Sequence, residues 1–460
     1  MTGMDRFARV LVCIVMMLLV VPTIASAAEP PPGVDRQPVT QLQHPLLVTA
    51  AGSDGGGPVG TEFTVADLTA NVARPAIAYN SQAREYLVVW QTEGATNPGS
   101  IWATRVAADG RWLGNYEVEV GGGALRSHPD VAYNSQDNDY YVVWQHDTGT
   151  RVTIRGKPFA PGGPDYGSVQ LTGGAALKDC FEPAIAYATN PNPSDHRFIV
   201  VWERHVVASV SSDIEGQVLT NGGAYAGDNF IIDQGTTTRS YSQPDIAYNL
   251  SRNEYLVATT WHDKVAPNYD ILGRILSRTG GVLSDPAYLI GYHTPDEWAP
   301  AVAALPTVAN YGGYVVAWEL RHTPAEGDIY ARYVPGRMAF DPTAQLGNVV
   351  IVSNVGREQV APAIAANTSN RHYLVSWAEQ FESPFDANTG IRGRELAADA
   401  TVWGPVQWLG GAFSAHPAVA PGQRGDFLTA WAEGGLFGAS DIHGRLWGRR
   451  VYLPLVVRRP

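Results

Sequence analysis

Apolar residues along this chain fall into short clusters that return in a fixed order. One lies in Arg74-Pro75-Ala76-Ile77-Ala78-Tyr79-Asn80, and a second reads Tyr86-Leu87-Val88-Val89-Trp90. A third opens with Ile101 and carries a small residue, Ala103, two positions on. At period two, Tyr86, Val88 and Trp90 share one face of a strand and Leu87 and Val89 take the other. Both faces are apolar, which predicts a strand covered on both sides, as in stacked sheets. In the first cluster Ala76 and Ala78 share a face opposite Ile77 and Tyr79, and small side chains suit an innermost strand where neighbouring sheets converge.

The three clusters occur seven times. The proline returns as Pro129, Pro183, Pro244, Pro300, Pro362 and Pro417, and the tryptophan as Trp144, Trp202, Trp261, Trp318, Trp377 and Trp431. The third cluster returns as Ile154/Gly156, Ile214/Gly216, Ile271/Gly273, Ile329/Ala331, Ile391/Gly393 and Ile442/Gly444. The period is about 57 residues, the range of repeat architectures. An aromatic stands four residues before the Trp in six copies and six before it in the fourth (Tyr255 to Trp261), so the rings keep one face throughout. A fourth strand is predicted before each later Pro, at 117–120, 168–171, 229–232, 287–290 and 348–352. Four antiparallel strands repeated radially make a β-propeller, whose blades bury one another's faces and leave only short edges. The pattern therefore predicts an all-β fold, a single seven-bladed β-propeller of four-stranded antiparallel blades over residues 63–460. Phe63-Thr64-Val65 sits where the fourth strand of a preceding blade belongs, which predicts a ring closed by an N-terminal strand. Val451 to Val456 competes for that place.

The P-x-[IV]-A-Y-N, Y-L-V-V-W and D-I-x-G-R strings resemble repeats of exported bacterial β-propeller proteins, many without an assigned function, over residues 63–450. The resemblance implies architecture and carries no catalytic residue across. The sialidase S-x-D-x-G-x-T-W box, the paired Trp-Asp of WD repeats, the kelch double glycine and Asp-rich calcium loops do not occur.

Outside the repeats, Arg6 and Arg9 precede an apolar run from Val10 to Val21, and Ala25-Ser26-Ala27 supplies a small-x-small cleavage pattern. This order predicts a secretion signal over residues 1–28 and a protein secreted by a bacterium. The apolar run is short of the roughly 20 residues a membrane span needs. Residues 29–62, with Pro30-Pro31-Pro32 and Gly55-Gly56-Gly57, read as a flexible leader. Cys13 leaves with the signal, so Cys180 has no disulfide partner and reads as a small buried hydrophobe rather than a nucleophile. A formal net charge of -12 argues against nucleic acid and anionic membrane as partners. A monomer is expected.

Chemistry is expected at the end of the blades that carries the Pro and the post-Trp loops, because longer loops on a rigid frame are where binding residues gather. Seven of the 11 His map there. The candidate acid/base groups are Glu203, His205, His262, Asp263, Glu319 and His322, which read first as solvated loop polarity and otherwise fit general acid/base work. Candidate ligand-binding residues are Trp298, Glu297, Arg204, Arg321 and His128. A loop Trp beside carboxylates and a His suits a pyranose face, or packs its own loop. Arg74, Glu182 and His416 fall on the same end. No H-E-x-x-H or H-x-H spacing occurs, so no metal is assigned, and no cofactor is expected beyond possible calcium. Asp213, Asp270, Asp328 and Asp441, each just before the third-strand Ile, are expected to accept loop backbone N–H groups. The reading that results is an extracellular binding or scaffolding protein for a glycan, peptide or cell-surface ligand. The alternative is a glycoside hydrolase or polysaccharide lyase. Convergence of the candidates into one pocket favours the enzyme; spreading around the rim favours the binder.

Overall fold

The computed structural model describes residues 56–448 apart from 67–70, 94–98, 165–166, 174–177, 190–195, 207–210, 286, 307–311, 324–325, 337–345, 381–389, 412 and 435–439. The signal, most of the leader and Val451–Val456 lie outside the described residues. No helix among the described residues is long and apolar enough to cross a membrane.

The architecture is all-β, built from four-stranded antiparallel sheets that follow one another along the chain as repeated blades of a β-propeller. The first blade pairs β2 (Asn71–Asn80), β3 (Glu85–Glu93), β4 (Ile101–Ala107) and β5 (Trp112–Glu119) in chain order. The next holds β6 (Leu125–Asn134), β7 (Asp139–Asp147), β8 (Val152–Phe159) and β9 (Val169–Gln170). Then come β10 (Lys178–Ala188), β11 (Arg197–Val206), β12 (Ser212–Thr220) and β13 (Phe230–Asp233), followed by β14 (Arg239–Asn249), β15 (Glu254–Asp263), β16 (Asn268–Ser277) and β17 (Tyr288–Gly291). Two further runs are β18 (Asp296–Leu305), β19 (Gly313–Thr323), β20 (Glu326–Val334) and β21 (Val349–Ser353), and β22 (Glu358–Asn367), β23 (His372–Gln380), β24 (Gly390–Leu396) and β25 (Val402–Gly410). A parallel bridge between Gly327 and Glu358 joins these two runs. In the last sheet β26 (Ser414–Pro421), β27 (Phe427–Gly434) and β28 (Ser440–Gly448) are completed by β1 (Gly57–Ala66), which pairs antiparallel with β28. β1 thus takes in residues 57–62, which the sequence pattern puts in the leader.

The two-faced strand behaves as its pattern predicts. In β3, Leu87 and Val89 pack with Val131, Val142 and Trp144 of the following blade. Tyr86, Val88 and Trp90 pack with Leu428, Ala430, Ile442 and Val65 of the last sheet. Each Trp at this position is fully buried in the β3, β7, β11, β19, β23 and β27 copies. Burying one such ring contributes roughly 4–5 kcal/mol at about 25 cal/mol per Å², as an upper bound. The fourth copy differs: Thr259 occupies the register position that Trp holds elsewhere, and Trp261 lies two residues further out on the same face, 4% exposed.

The small residue after each third-strand Ile makes room for the fourth strand. A Cβ on Gly216 would sit 2.9 Å from Phe230, and on Gly273 2.6 Å from Ile290. On Gly444 it would sit 2.9 Å from Val65 of β1. The Asn that ends the first strand closes the tight turn and reaches sideways. Asn249 Oδ1 accepts the Ser251 N–H at 3.0 Å, while its Nδ2 donates to the Gly313 carbonyl of the next blade at 3.1 Å. Asn80, Asn134 and Asn367 likewise accept turn N–H groups.

Candidate functional site

Every first strand carries a bulge at its X-Pro step, and the pairing with its neighbour slips there. The X residue is left-handed in all of them: Arg74 (φ 49), His128 (φ 52), Glu182 (φ 49), Gln243 (φ 51), Ala299 (φ 49), Ala361 (φ 51) and His416 (φ 52). A non-glycine residue in this region is disfavoured, and more so before proline, which pushes its predecessor toward extended backbone. What holds the bulge is a side chain from the preceding blade. Gln91 Oε1 accepts the His128 N–H at 2.7 Å, and Gln145 Oε1 that of Glu182 at 2.6 Å. Gln243 Oε1 accepts the Ala299 N–H at 3.1 Å, and Glu319 Oε1 that of Ala361 at 2.6 Å.

The X-Pro steps and the residues after them line a cavity of about 400 Å³ between the first strands. Its lining is polar on one arc and apolar on the other. His416, Arg74, His128, Glu182 and Gln243 come from five blades in succession, with Ala299 and Ala361 opposite. One step deeper, Asp130 and Asp245 replace the alanine of the other copies. Asp130 Oδ2 accepts the Ile185 N–H at 2.8 Å and Asp245 Oδ2 that of Val302 at 2.7 Å, so each also ties its blade to the next.

Burial governs the charge states here. It pushes the Glu182 carboxyl up to about 7, helped by Glu203 and opposed by Arg74 and His205. It pushes Asp130 up to about 7 and Asp245 to about 6 against their backbone hydrogen bonds. It drives His128 down to about 3 and His416 to about 4, with Arg74 adding to both, so both imidazoles are neutral at neutral pH. Their Nδ1 atoms are buried and have no partner. The cavity mouth therefore offers one guanidinium, two neutral imidazoles, a primary amide and a carboxyl that is half protonated near neutrality.

Of the candidate acid/base and ligand-binding residues, His128 lies in this cavity, beside Arg74, Glu182 and His416 from the same end, and the others do not. Glu203 and His205 contact each other on β11 beside Phe181. Burial opposes charge on His205, yet Glu203, Asp179 and Glu182 together hold its pKa up. Arg204 is bound to Asp213 and Glu215. His262 stacks on Tyr269 at 4.1 Å and Trp298 stacks on the same tyrosine at 3.8 Å. Arg321 lies 5.7 Å from the Trp298 ring and binds Glu319 at 2.8 Å. Trp298 is therefore one rung of a ladder between Tyr269 and Arg321. Asp263 Oδ1 closes its own turn on the Val265 N–H at 2.9 Å. His322 Nε2 sits 2.8 Å from Asp328. Glu297 is fully buried, where Oε1 takes the Trp318 indole N–H at 3.0 Å and His293 Nδ1 at 2.6 Å.

Of the third-strand aspartates, Asp213 takes a loop backbone N–H, from Gly235 at 2.7 Å. Asp270 accepts the Asn268 side-chain amide, and Asp328 lies against His322. Cys180 is buried and its thiol is pushed up to about 12 by burial, as a packed hydrophobe requires. Asp130 and Asp245 escaped the sequence reading, although Pro-Asp in place of Pro-Ala marks both copies.

No protein-family model and no curated protein matches this chain. By structure it is similar to a protein of unknown function from Dyadobacter fermentans, with a TM-score of 0.49, 13% identity, and coverage of 86% of this chain and 100% of that one. It is also similar to the β-propeller domain of the Trilobed protease from Pyrococcus furiosus, with a TM-score of 0.46, 10% identity, and coverage of 82% and 96%. An endo-arabinase from Bacteroides thetaiotaomicron aligns at a TM-score of 0.37 and 13% identity, covering 59% of this chain and 96% of that one.

Proposed function

We propose that this chain is an exported, seven-bladed β-propeller, closed by β1, that binds an extracellular saccharide at its axial cavity without turning it over. Three observations support the ring. The first strands touch in the order β2, β6, β10, β14, β18, β22, β26 and back to β2. All seven X-Pro steps line one cavity. β1 and β3 share a core cluster with β27 and β28. Export rests on the signal pattern of residues 1–28.

The observation that carries the binding reading is the polar arc at the cavity mouth. A volume of about 400 Å³ is of ligand-pocket size. Arg74 suits a carboxylate and the neutral imidazoles and Gln243 suit hydroxyls, which together fit an acidic sugar. Spreading of the remaining candidates over separate blades argues against a single catalytic centre. The second reading, a glycan-active enzyme, is favoured by one contact. The Glu203–His205 pair lies beside Glu182, whose carboxyl at about 7 suits a general acid.

A glycan array probed with residues 29–460, with each hit incubated and analysed by mass spectrometry, separates the two. Binding of acidic glycans that survive incubation, lost in Arg74→Ala, is the expected result. Cleavage abolished by Glu182→Gln overturns it in favour of the enzyme. Binding lost in Trp298→Ala but retained in Arg74→Ala moves the site from the axis to the rim.

A further inference from the structure

β1 and the last sheet are joined by more than backbone pairing. Glu62 of β1, Glu433 at the end of β27 and His443 of β28 present one ligand atom each, all within 4.8 Å of one another. Zinc bonds of roughly 2.0–2.2 Å at tetrahedral angles place ligand atoms about 3.3–3.6 Å apart on one ion. Side-chain rotations that draw the three inward by about an ångström bring them onto one ion.

The surroundings support a cation here. Glu62 and Glu433 are both partly buried and present carboxylate oxygens to the same hollow. Trp431 Nε1 donates to Glu433 Oε2 at 3.3 Å, which orients that carboxylate from behind. A separate observation points into the same hollow. Ser414, 4% exposed, has a buried Oγ without a partner among the described residues. That oxygen and Glu433 Oε2 both crowd the space a side chain on Gly411 would take, and Glu62 Oε2 does the same at Gly410. Two consecutive glycines leave open the volume in which the four side chains meet.

We propose that Glu62, Glu433 and His443 form a divalent transition-metal site, with Zn²⁺ as its first candidate and Ser414 as a supporting oxygen, that pins β1 to the β26–β28 sheet. One imidazole with two carboxylates selects zinc or manganese over calcium and magnesium, which take all-oxygen sets. His443 Nδ1 lies 2.8 Å from Glu62 Oε1, so the imidazole and the carboxylate already stand within reach of one ion. The site lies at the closing sheet and is independent of the axial cavity.

The test uses the full chain freed of metal by chelation and titrated with ZnCl₂, with MnCl₂ and CaCl₂ alongside. Expected are one Zn²⁺ per chain, a Zn²⁺-dependent rise in Tm, and slower hydrogen exchange across Gly57–Ala66. His443→Gln weakens zinc binding by about 10- to 100-fold or more, the scale on which metal sites respond to loss of a supporting group. Glu433→Gln does the same, and both leave the metal-free Tm near that of the wild type. Zinc that binds without protecting β1, or that binds equally well to His443→Gln, is an adventitious ion and overturns the site. Failure to bind zinc or manganese at micromolar concentration overturns it as well. If either variant fails to fold, exchange protection of β1 in the wild type still decides the matter.

Discussion

At the scale of single residues, the repeat positions divide into those that pack and those that hold the bulge. Trp144 is fully buried, its indole N–H has no partner, and Leu87 and Val89 of the preceding blade enclose it. Trp144→Ala opens a cavity between blades and costs roughly 3–5 kcal/mol, whereas the exposed Glu93→Ala stays within about 0.5 kcal/mol. Equal denaturation midpoints for the two would contradict the packing. Glu182 tests the electrostatics. Its carboxyl is raised by burial from about 4.5 in the unfolded chain to about 7 in the fold. The stability it contributes is complete below the lower value and is lost as pH rises through the higher one. Glu182→Gln cannot ionise, and no hydrogen bond to the Glu182 carboxyl is seen among the described residues. Its Tm relative to wild type should therefore rise steadily between about pH 5 and pH 8. A difference independent of pH would mean that the carboxyl ionises in the fold as it does in solution.

At the scale of elements, the first strand is the unusual one. Its bulge sets a left-handed residue before proline in every copy, and the strain is held by acceptors such as Gln91, Gln145 and Glu319. Where X is alanine the side chain brings no chemistry, so glycine should relieve the strain. Ala361→Gly is expected to raise stability by about 0.5–1 kcal/mol, against the usual loss for alanine to glycine in a strand. Thermal unfolding measures the sign, and a loss would show that the bulge is unstrained. This role explains why Glu319 stands after its Trp: it latches one blade to the next. The strand pattern itself was legible, since Tyr86-Leu87-Val88-Val89-Trp90 can be buried on both faces only between two neighbours. The two-residue offset of Trp261 showed as its longer gap from Tyr255, but that Trp261 and not Tyr255 had moved is shown only by the pairing of Ser242 with Thr260 and of Asp245 with Ala258.

At the scale of the molecule, the weak point is the seam between β1 and β28. Val65 is 1% exposed and packs against the space left by Gly444. Val65→Asp places a carboxylate in that core and should free β1. Expected are rapid proteolysis at the N-terminal side of residue 66 and a lower Tm, with the edge of β28 open to association. A variant as resistant as the wild type would argue that β1 does not close the ring.

Periodicity along the chain was enough to specify the strands and their order within each blade, because these follow from local alternation and from a unit copied many times; it left open whether Phe63 to Val65 or Val451 to Val456 completes the last sheet. It was not enough for the sites. Arg74, His128, Glu182 and Gln243 follow one another at about one repeat, His416 lies three repeats further on, and they meet only in the cavity between the first strands. Glu62, Glu433 and His443 lie at opposite ends of the repeats and meet only where β1 docks. Trp298 has the composition of a sugar platform, but Tyr269 stacks on it and Arg321 sits beside it. Local pattern encodes which residues are strands and which faces are apolar; which polar groups share a hollow depends on how the blades pack against one another, which no short stretch of chain contains.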